Sequence, residues 1–402
     1  MTSPQTDTTS KTEQEFADLI GFDHRHKPQE EKPKKRSRGK KVILIILLVL
    51  LALLLAAGGT IAWMYHQGQQ DLLTTEPPAI KPPEALVDSS DGDRVVYKGI
   101  TYEYNYDVTA ILVVGVDKKD IQEESVYGQN GQADTLFLAT LDTNTGDMHI
   151  IPISRETMVD VDRYAADGSY IGVEKTQLCL AYAYATDGNG GSENVVRSVS
   201  RLLYGVPINS YVSIDLDGVM EVTNTIGGIP LTALEDIPDP RTGEILICKG
   251  EEVILDGKQA LTYMRHRDTD AQANNRRMQR LKQFFTAFIG KAGSSLKKDI
   301  GLLPKYYTAA SPYIVTDVTL SKMTYLVSSA LSGSNWKSPN YHTISGRSVD
   351  GEQHAEFYAD TASAYEAVLA AFYTPVADAT TTATDTTAEG ETTASTLQTQ
   401  AE

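Results

Sequence analysis

An apolar run from Val42 to Met64 limits what this chain can be more than any other part of its sequence. Its 23 residues would extend about 35 Å as an α-helix, which is enough to cross a bilayer with modest tilt. A cleaved signal peptide is the alternative, but the apolar region of such a peptide usually has about 7–15 residues and lies nearer the N-terminus. We therefore predict a transmembrane helix over residues 42–65 that anchors the protein in the cell membrane.

The charges on the two sides of this run predict its orientation. Seven Lys or Arg residues lie between Lys32 and Lys41, whereas the sequence after the run is acidic. Because an excess of basic residues marks the cytoplasmic side of a span, we expect residues 1–41 to be a cytoplasmic tail, and their polar composition predicts disorder. The chain from Tyr65 onward is then extracytoplasmic, where ATP is scarce and an activated substrate must bring its own high-energy bond.

Composition divides the extracytoplasmic part into three segments. Residues 66–99 contain four prolines between Pro77 and Pro83, which favour extended backbone and predict a stiff stalk. Residues 375–402 are rich in Thr, Ala and Glu, and their small apolar content predicts a disordered tail. Residues 100–374 remain as the folded domain, and the 41% apolar composition of the chain supports a real core.

Within this domain, strand patterns alternate with helix patterns. Short apolar runs rich in β-branched residues begin at Ala110, Thr135 and Met148 and predict buried strands. A helical pattern opens at Ser192 and closes at Gly205. Further helices are predicted over residues 256–263, 276–291, 321–331 and 362–372. Such alternation predicts an α/β fold, a layered αβα domain with a central mixed sheet, preceded by one transmembrane helix.

A basic segment stands out in this acidic protein. The formal net charge of −17 argues against nucleic acid as a partner, because binding to a phosphate backbone needs a basic face. Five arginines nevertheless lie between Arg265 and Arg280. The planar guanidinium binds phosphate or carboxylate through two parallel hydrogen bonds, so the segment predicts a site for a small anion. The alternative, solvated helix charges paired with Asp268 and Asp270, stays open from this segment alone.

Three further charged side chains follow or begin predicted strands. Asp117 ends the first strand, Asp134 opens the second, and Arg155 with Glu156 follows the third. Ligands of open α/β sheets bind at such strand ends, and two carboxylates together with a diphosphate suit Mg²⁺. The alternative for each Asp is a role in a turn or a helix cap. The alternative for Arg155 and Glu156 is an ion pair on the surface.

Two cysteines, Cys179 and Cys248, are present in the whole chain. In an exported domain they permit one disulfide, and two separate thiols are equally compatible with the sequence. A cysteine-based zinc site is excluded by the count, and the histidines show no HExxH spacing.

Taken in order, the motifs resemble those of the LytR-CpsA-Psr family. They are Gly-x-Asp at Asp117, Ala-Asp-Thr at Asp134, Ser-Arg-Glu at Arg155, Arg-His-Arg at 265–267 and Arg-Arg-x-x-Arg at 276–280. The resemblance extends from about Tyr106 to Gly290, with weaker cover to Tyr373. It implies an enzyme that transfers a glycopolymer, teichoic acid or capsular polysaccharide, from a polyprenyl diphosphate carrier to peptidoglycan through a phosphodiester bond.

The resemblance also implies roles for individual residues. Asp117 and Asp134 would hold Mg²⁺. The diphosphate would be bound by Arg155, Arg265, Arg267, Arg277 and Arg280. We assign catalysis to Arg155, Arg265 and Arg267, which would stabilise charge during transfer, and to Glu156, an alternative to Asp134 for deprotonating the acceptor.

The chain departs from the family pattern at a few positions. Gln132 replaces a common arginine, Glu156 a common aspartate, Gln177 a common lysine and Leu281 a common glutamine. These departures leave two other functions open. One is a non-catalytic module that binds lipid diphosphates or polyanions and regulates wall assembly, and the other is a hydrolase of polyprenyl diphosphates.

Overall fold

The computed structural model of the chain describes residues 38–73, 79–91, 93–122, 128, 131–184, 191–267, 273–333, 336, 338–351 and 354–376. Of the tails predicted over residues 1–41 and 375–402, residues 1–37 and 377–402 lie outside the described residues, as do Asp268 and Asp270. Residues 38–41 are helical and residues 375–376 belong to a strand, so the disorder predicted for these six residues is wrong. The chain divides into two compact units, Met1–Gly58 and Gly59–Glu402. The described part of the first unit is helical.

The helices and strands are numbered in chain order. The described helices are α1 (Arg38–Leu72), α2 (Leu180–Ala183), α3 (Ser192–Leu202), α4 (Leu216–Thr225), α5 (Gly257–Arg265), α6 (Ala273–Lys298), α7 (Leu302–Ala310), a 3₁₀ turn (Ser311–Tyr313), α8 (Leu320–Ser332) and α9 (Thr361–Phe372). The described strands are β1 (Ser89–Asp91), β2 (Arg94–Tyr97), β3 (Ile100–Tyr104), β4 (Val108–Val116), β5 (Ala133–Asp142), β6 (Met148–Ile153), β7 (Met158–Tyr164), β8 (Tyr170–Gln177), β9 (Ser210–Ile214), β10 (Ile229–Thr232), β11 (Ile237–Pro238), β12 (Ile245–Ile247), β13 (Glu252–Leu255), β14 (Ile314–Thr316), β15 (Asn340–Tyr341), β16 (Gly346–Asp350), β17 (Ala355–Ala359) and β18 (Tyr373–Val376).

Helix α1 contains the predicted span and is longer than residues 42–65 at both ends. Among the described residues, one segment, Ile46–Leu72, is long and apolar enough to cross a membrane by length and composition. The large apolar side chains from Ile46 to Leu55 are exposed, as those of a lipid-facing helix would be. These features fit a single membrane anchor.

The segment predicted to be a stalk is largely folded where the structure describes it. Leu72, at the end of α1, is buried in a cluster with Leu141, Tyr325 and Leu326. Gly68 lies so close to α8 that an added Cβ would clash with the backbone oxygen of Ser321. Strands β1 and β2 join β3 and β18 in a four-stranded sheet. The stalk prediction is therefore wrong for these residues. Their apolar side chains pack against the folded domain, and the proline content of the segment gives no indication of this packing.

The central sheet is mixed, as predicted. Its six strands lie in the order β14-β9-β4-β5-β6-β15. Strand β4 is parallel to β9, and β6 is parallel to β15, whereas the other neighbouring pairs are antiparallel. The sheet therefore has two parallel pairs separated by antiparallel contacts.

Both faces of this sheet are covered by helices. Leu112 and Val114 of β4 point into the larger core, which also contains Val195 of α3 and Val368 of α9. Phe137 of β5 points to the opposite face and packs with residues of α5 and α6. Because side chains alternate along a strand, each strand contributes to both cores. The predicted αβα layering is confirmed.

The two cysteines are both free thiols. Cys179 is buried at the start of α2, whereas Cys248 is exposed in the turn after β12. The disulfide that the sequence permits is not formed.

Candidate active site

A cavity of about 470 Å³ lies between one face of the central sheet and helices α4, α5 and α6. Strands β4 and β9 form its floor, and the three helices form the opposite wall. Its charged wall residues are Asp117, Asp134, Arg155, Asp215, Arg265, Arg267 and Arg277. Six of these seven were predicted as site residues from the sequence.

The pairing of β4 with β5 brings the two predicted metal carboxylates to one edge. Gly115 faces Thr135 in this antiparallel pair, and the register shifts at Val116. The backbone N–H of Asp117 then donates to the carbonyl oxygen of Gln132 at 3.0 Å. Asp117, which follows β4, and Asp134, which is near the start of β5, consequently both line the cavity.

Arg155 reaches the same edge from the end of β6. Its guanidinium forms an ion pair with the carboxylate of Asp134, and its Nη2 donates to Oε1 of Gln132 at 3.1 Å. Its Nε is buried and has no hydrogen-bond partner among the described residues. A buried donor without a partner is costly unless a ligand or water accepts from it, so Arg155 has hydrogen-bonding capacity left for an anion.

Arg265 and Arg267 lie where α5 ends. This helix begins with a capping box formed by Asp256 and Gln259, and its last residue is Arg265. His266 is extended, with φ −52° and ψ 133°, so Arg265 projects from the last turn of α5 and Arg267 follows on non-helical backbone. Both side chains line the cavity. The Nη2 atom of Arg265 is 3.6 Å from Oδ1 of Asp117, and both side chains are about half exposed.

Arg277, on the first turn of α6, completes the basic cluster. Its Nη2 donates to the backbone oxygen of Asp134 at 3.3 Å, and 8% of the residue is exposed. Burial first, and then the positive charges of Arg267 and Arg155, lower the pKa of Arg277 to about 10, against the raising effect of Asp134 and Glu156. The guanidinium stays protonated at neutral pH. Mutual repulsion in this cluster favours a bound anion.

Arg280 does not belong to this cluster, so its predicted contact with diphosphate needs correction. The residue is 1% exposed. Its Nε donates to the carbonyl oxygen of Tyr263 at 2.8 Å, its Nη2 donates to that of His266, and its Nη1 pairs with the carboxylate of Glu235. These bonds occupy the guanidinium, and Arg280 does not line the cavity. It instead holds the end of α5, which carries Arg265 and Arg267.

Glu156 was predicted as a site residue and Asp215 was not, but the structure places Asp215 and not Glu156 in the cavity wall. Glu156 does not line the cavity, and its backbone oxygen accepts a hydrogen bond from Phe357. Asp215 lines the cavity but was missed, although an Asp before a helical pattern signals an N-cap. Its carboxylate accepts from the N–H of Gly218 at 2.7 Å and from that of Ile121 at 3.2 Å. Asp215 therefore ties α4 to the loop that follows Asp117.

The wall formed by α6 changes from basic to apolar along the helix. After Arg277, the residues that line the cavity are Leu281, Phe284, Phe285 and Phe288. The helical rise places Phe288 about 16 Å from Arg277. Val113 of β4 and residues of α4 add apolar surface on other sides. The cavity therefore suits an amphiphile with an anionic head and a long apolar tail.

The carboxylates fit a magnesium ion only in combination with a ligand. No group of three or more His, Cys, Asp or Glu suited to a metal occurs in the part of the chain that the structure describes. Asp117 and Asp134 supply hard oxygen atoms, and Mg²⁺ commonly binds one or two carboxylates, with phosphate and water as its other ligands. The residues present fit a Mg²⁺ ion that binds together with a phosphate group.

Comparisons with known proteins agree with this architecture. The model of the LytR_cpsA_psr family matches residues 85–370. The polyisoprenyl-teichoic acid–peptidoglycan teichoic acid transferase TagV of Bacillus subtilis is 29% identical over 205 residues, which are 50% of this chain and 49% of that protein. The transferase TagU of Oceanobacillus iheyensis is 28% identical over 208 residues, 51% of this chain and 58% of that protein.

A solved structure shows the same fold. The crystal structure of B. subtilis TagV matches with a TM-score of 0.53 and 27% identity, over 65% of this chain and 94% of that structure. The chain spans about half the length of the curated relatives that it matches.

Proposed function

The chain belongs to the LytR_cpsA_psr family, and from this premise we propose that it is a membrane-anchored phosphotransferase. It transfers a glycopolymer, of the teichoic acid or capsular polysaccharide type, from a polyprenyl diphosphate carrier to peptidoglycan through a phosphodiester bond. The relatives' names as teichoic acid transferases support this proposal. The N-terminus is cytoplasmic and the chain from Tyr65 onward is extracytoplasmic, which the basic residues before the anchor support.

One observation carries the proposal: a single cavity has a basic end and an apolar end. Arg155, Arg265, Arg267 and Arg277 form the basic end, where the diphosphate binds through charge-assisted hydrogen bonds. The phenylalanines of α6 line the apolar end, where the first part of the polyprenyl chain is buried. A hydrophilic nucleotide or free sugar phosphate would leave this apolar surface without a partner.

Asp117 and Asp134 would hold Mg²⁺, which when bound supplies positive charge that offsets the negative charge of the diphosphate. Arg155, Arg265 and Arg267 orient the diphosphate and stabilise charge that builds up on its oxygen atoms during transfer. Arg155 is fixed in turn by Asp134 and Gln132. Gln132, which departs from the family pattern, thus helps to hold the guanidinium of Arg155 in place for binding the diphosphate.

The transfer itself exchanges one phosphorus–oxygen bond for another. The acceptor hydroxyl oxygen bonds to the phosphorus nearest the glycan while the bond from that phosphorus to the bridging oxygen breaks. Polyprenyl phosphate leaves with the electron pair, and the hydroxyl proton passes to a base. Asp134 lines the cavity and Glu156 does not, which supports Asp134 in this role.

A reconstituted assay tests the proposal against its two rivals. The full chain in lipid nanodiscs is incubated with Mg²⁺, a polyprenyl-diphosphate-linked glycan and peptidoglycan fragments, and the products are separated by mass spectrometry. We expect glycan joined to peptidoglycan through a phosphodiester, and loss of this product when EDTA removes Mg²⁺. Free glycan phosphate as the sole product would indicate a hydrolase, and donor binding without turnover would indicate a non-catalytic module.

A further inference from the structure

The floor of the cavity carries a hydroxyl group between its charged end and its apolar end. In the row of paired residues nearest Asp117, Gly115 of β4 pairs with Ile214 of β9 on one side and with Thr135 of β5 on the other. All three residues of this row line the cavity. Thr135 contributes the one polar side chain of the row, so it places a hydroxyl group on an otherwise apolar part of the floor.

The next row of the floor is wholly apolar. Two residues earlier on β4, Val113 pairs with Val212 of β9 and with Phe137 of β5. The ring of Phe137 packs against that of Phe285, which lines the cavity, with 4.5 Å between the ring centroids. Residues two apart on a strand are about 7 Å apart on the same face. The floor therefore changes from the hydroxyl of Thr135 to apolar side chains over this distance.

The charged end of the cavity begins directly beside Thr135. The carboxylate of the preceding residue, Asp134, forms an ion pair with Arg155. The backbone oxygen of Asp134 accepts a hydrogen bond from Nη2 of Arg277 at 3.3 Å. This oxygen belongs to the peptide group that joins Asp134 to Thr135, so the guanidinium of Arg277 lies next to Thr135. A phosphate bound by Arg277 then has Thr135 as a neighbour.

The hydroxyl of Thr135 is available to a ligand. Its Oγ1 forms no hydrogen bond with any residue that the structure describes. Its Cβ and Oγ1 lie where a Cβ on residue 115 would crowd them, so the glycine leaves room for this side chain on the cavity face of the sheet. A β-branched side chain has few χ1 rotamers, which keeps the hydroxyl close to one position.

We propose that the hydroxyl of Thr135 donates a hydrogen bond to the phosphate that stays attached to the polyprenyl chain. The inference rests on the proposed function and names the phosphate that this residue binds. A phosphate joined to an apolar chain must lie where the charged part of the cavity meets the apolar part, and Thr135 is at that boundary. This phosphate gains negative charge as its bond to the transferred phosphorus breaks, and a charge-assisted hydrogen bond stabilises it. Thr135 keeps its proton throughout.

Two soluble probes test this contact without requiring turnover. Geranyl diphosphate and geranyl monophosphate are titrated by calorimetry into the full chain in nanodiscs at a fixed Mg²⁺ concentration, with empty nanodiscs as the blank. Thr135→Val replaces the hydroxyl by a methyl group and suits a strand. We expect it to bind both probes about tenfold more weakly, because each loses a hydrogen bond to a charged group. Thr135→Ser keeps the hydroxyl and should recover most of the affinity for both probes.

Thr109→Val is the matched control. Thr109 is on β4, six residues before Gly115 and therefore about 20 Å away along the strand. Its buried Oγ1, like that of Thr135, has no hydrogen-bond partner in the described part of the chain. This variant should bind both probes as the parent does, which separates loss of a ligand contact from a general effect of replacing threonine by valine in the sheet.

Each other outcome overturns the proposal. Weaker binding of geranyl diphosphate alone would place Thr135 at the phosphate nearest the glycan. Equal binding of both probes by the parent and Thr135→Val, or no binding by the parent, would remove Thr135 as a ligand residue. Thr135→Ser and Thr135→Ala, which differ by the hydroxyl alone, repeat the test if Thr135→Val melts at a lower temperature than the parent. Probe binding that depends on Thr135 without any transfer in the reconstituted assay would contradict the proposed function and leave this contact standing.

Discussion

Replacing Arg265 and Arg267 together by alanine should abolish donor binding and reduce transfer by about a thousandfold or more. Both side chains line the basic end of the cavity, Arg265 from the last turn of α5 and Arg267 from the non-helical backbone that follows it. Neither is needed to fill a core, since both are exposed, so the melting temperature should stay close to that of the parent. Initial transfer rates and the affinity for a polyprenyl diphosphate, measured on the full chain, check this expectation.

A matched control separates loss of the site from loss of positive charge in general. Arg241 is exposed and lies in the turn between β11 and β12, where its Nε is 3.8 Å from Asp239. Arg241→Ala removes one cation without touching the cavity and should keep the parental rate. A double variant of Arg265 and Arg267 that transfers polymer as fast as the parent would show that these two arginines do not bind the diphosphate.

Replacing Arg280 by alanine should lower the free energy of unfolding by about 3–5 kcal/mol, the usual cost of breaking a buried ion pair. Glu235 would lose its buried partner, and the carbonyl oxygens of Tyr263 and His266 would lose their donor. Chemical denaturation of the full chain in detergent measures this loss. We expect the transfer activity to fall as well, because less of the protein is folded and because the end of α5 loses its hydrogen bonds to Arg280.

Arg277, one turn earlier on α6, provides the contrasting variant. Its guanidinium lies among the positive charges of Arg155 and Arg267, and its removal relieves repulsion. We expect Arg277→Ala to be as stable as the parent or more so, but to bind the donor weakly. Similar stability losses in both variants, or full donor affinity in Arg277→Ala, would contradict the assignment of a structural role to Arg280 and of a ligand-binding role to Arg277.

The sequence predicted the framework of the site because that framework follows from local patterns. Apolar runs indicated β4, β5 and β6, and the charged residues at their ends, Asp117, Asp134 and Arg155, lie together in the cavity wall. Helical periodicity indicated the positions of α5 and α6 to within a few residues at most boundaries. In antiparallel neighbours the end of one strand lies beside the start of the next, so these three residues come together independently of the rest of the fold.

The features that the sequence did not predict depend on contacts between residues that are far apart in the chain. Arg277 and Arg280 are three residues apart on one helix and look equivalent in the sequence, but Glu235 forms an ion pair with Arg280 and none with Arg277 among the described residues. The prolines after α1 suggested a stalk, whereas Leu72 is buried by Leu141 and Tyr325. The hairpin at β16 and β17 was not predicted, because its position beside Glu156 is set by backbone bonds to Phe357. None of these partners is near in sequence.

Phosphotransfer at the Arg155 and Arg265 end of the cavity can be followed through the fate of the phosphorus. A donor carrying phosphorus-32 in the phosphate nearest the glycan is incubated with the full chain, Mg²⁺ and peptidoglycan, and the insoluble product is counted. We predict that the label enters peptidoglycan in proportion to the glycan, and that Arg265→Ala with Arg267→Ala prevents it. Glycan that reaches peptidoglycan without the labelled phosphorus would contradict phosphotransfer, because the bond broken would then be the sugar–oxygen bond.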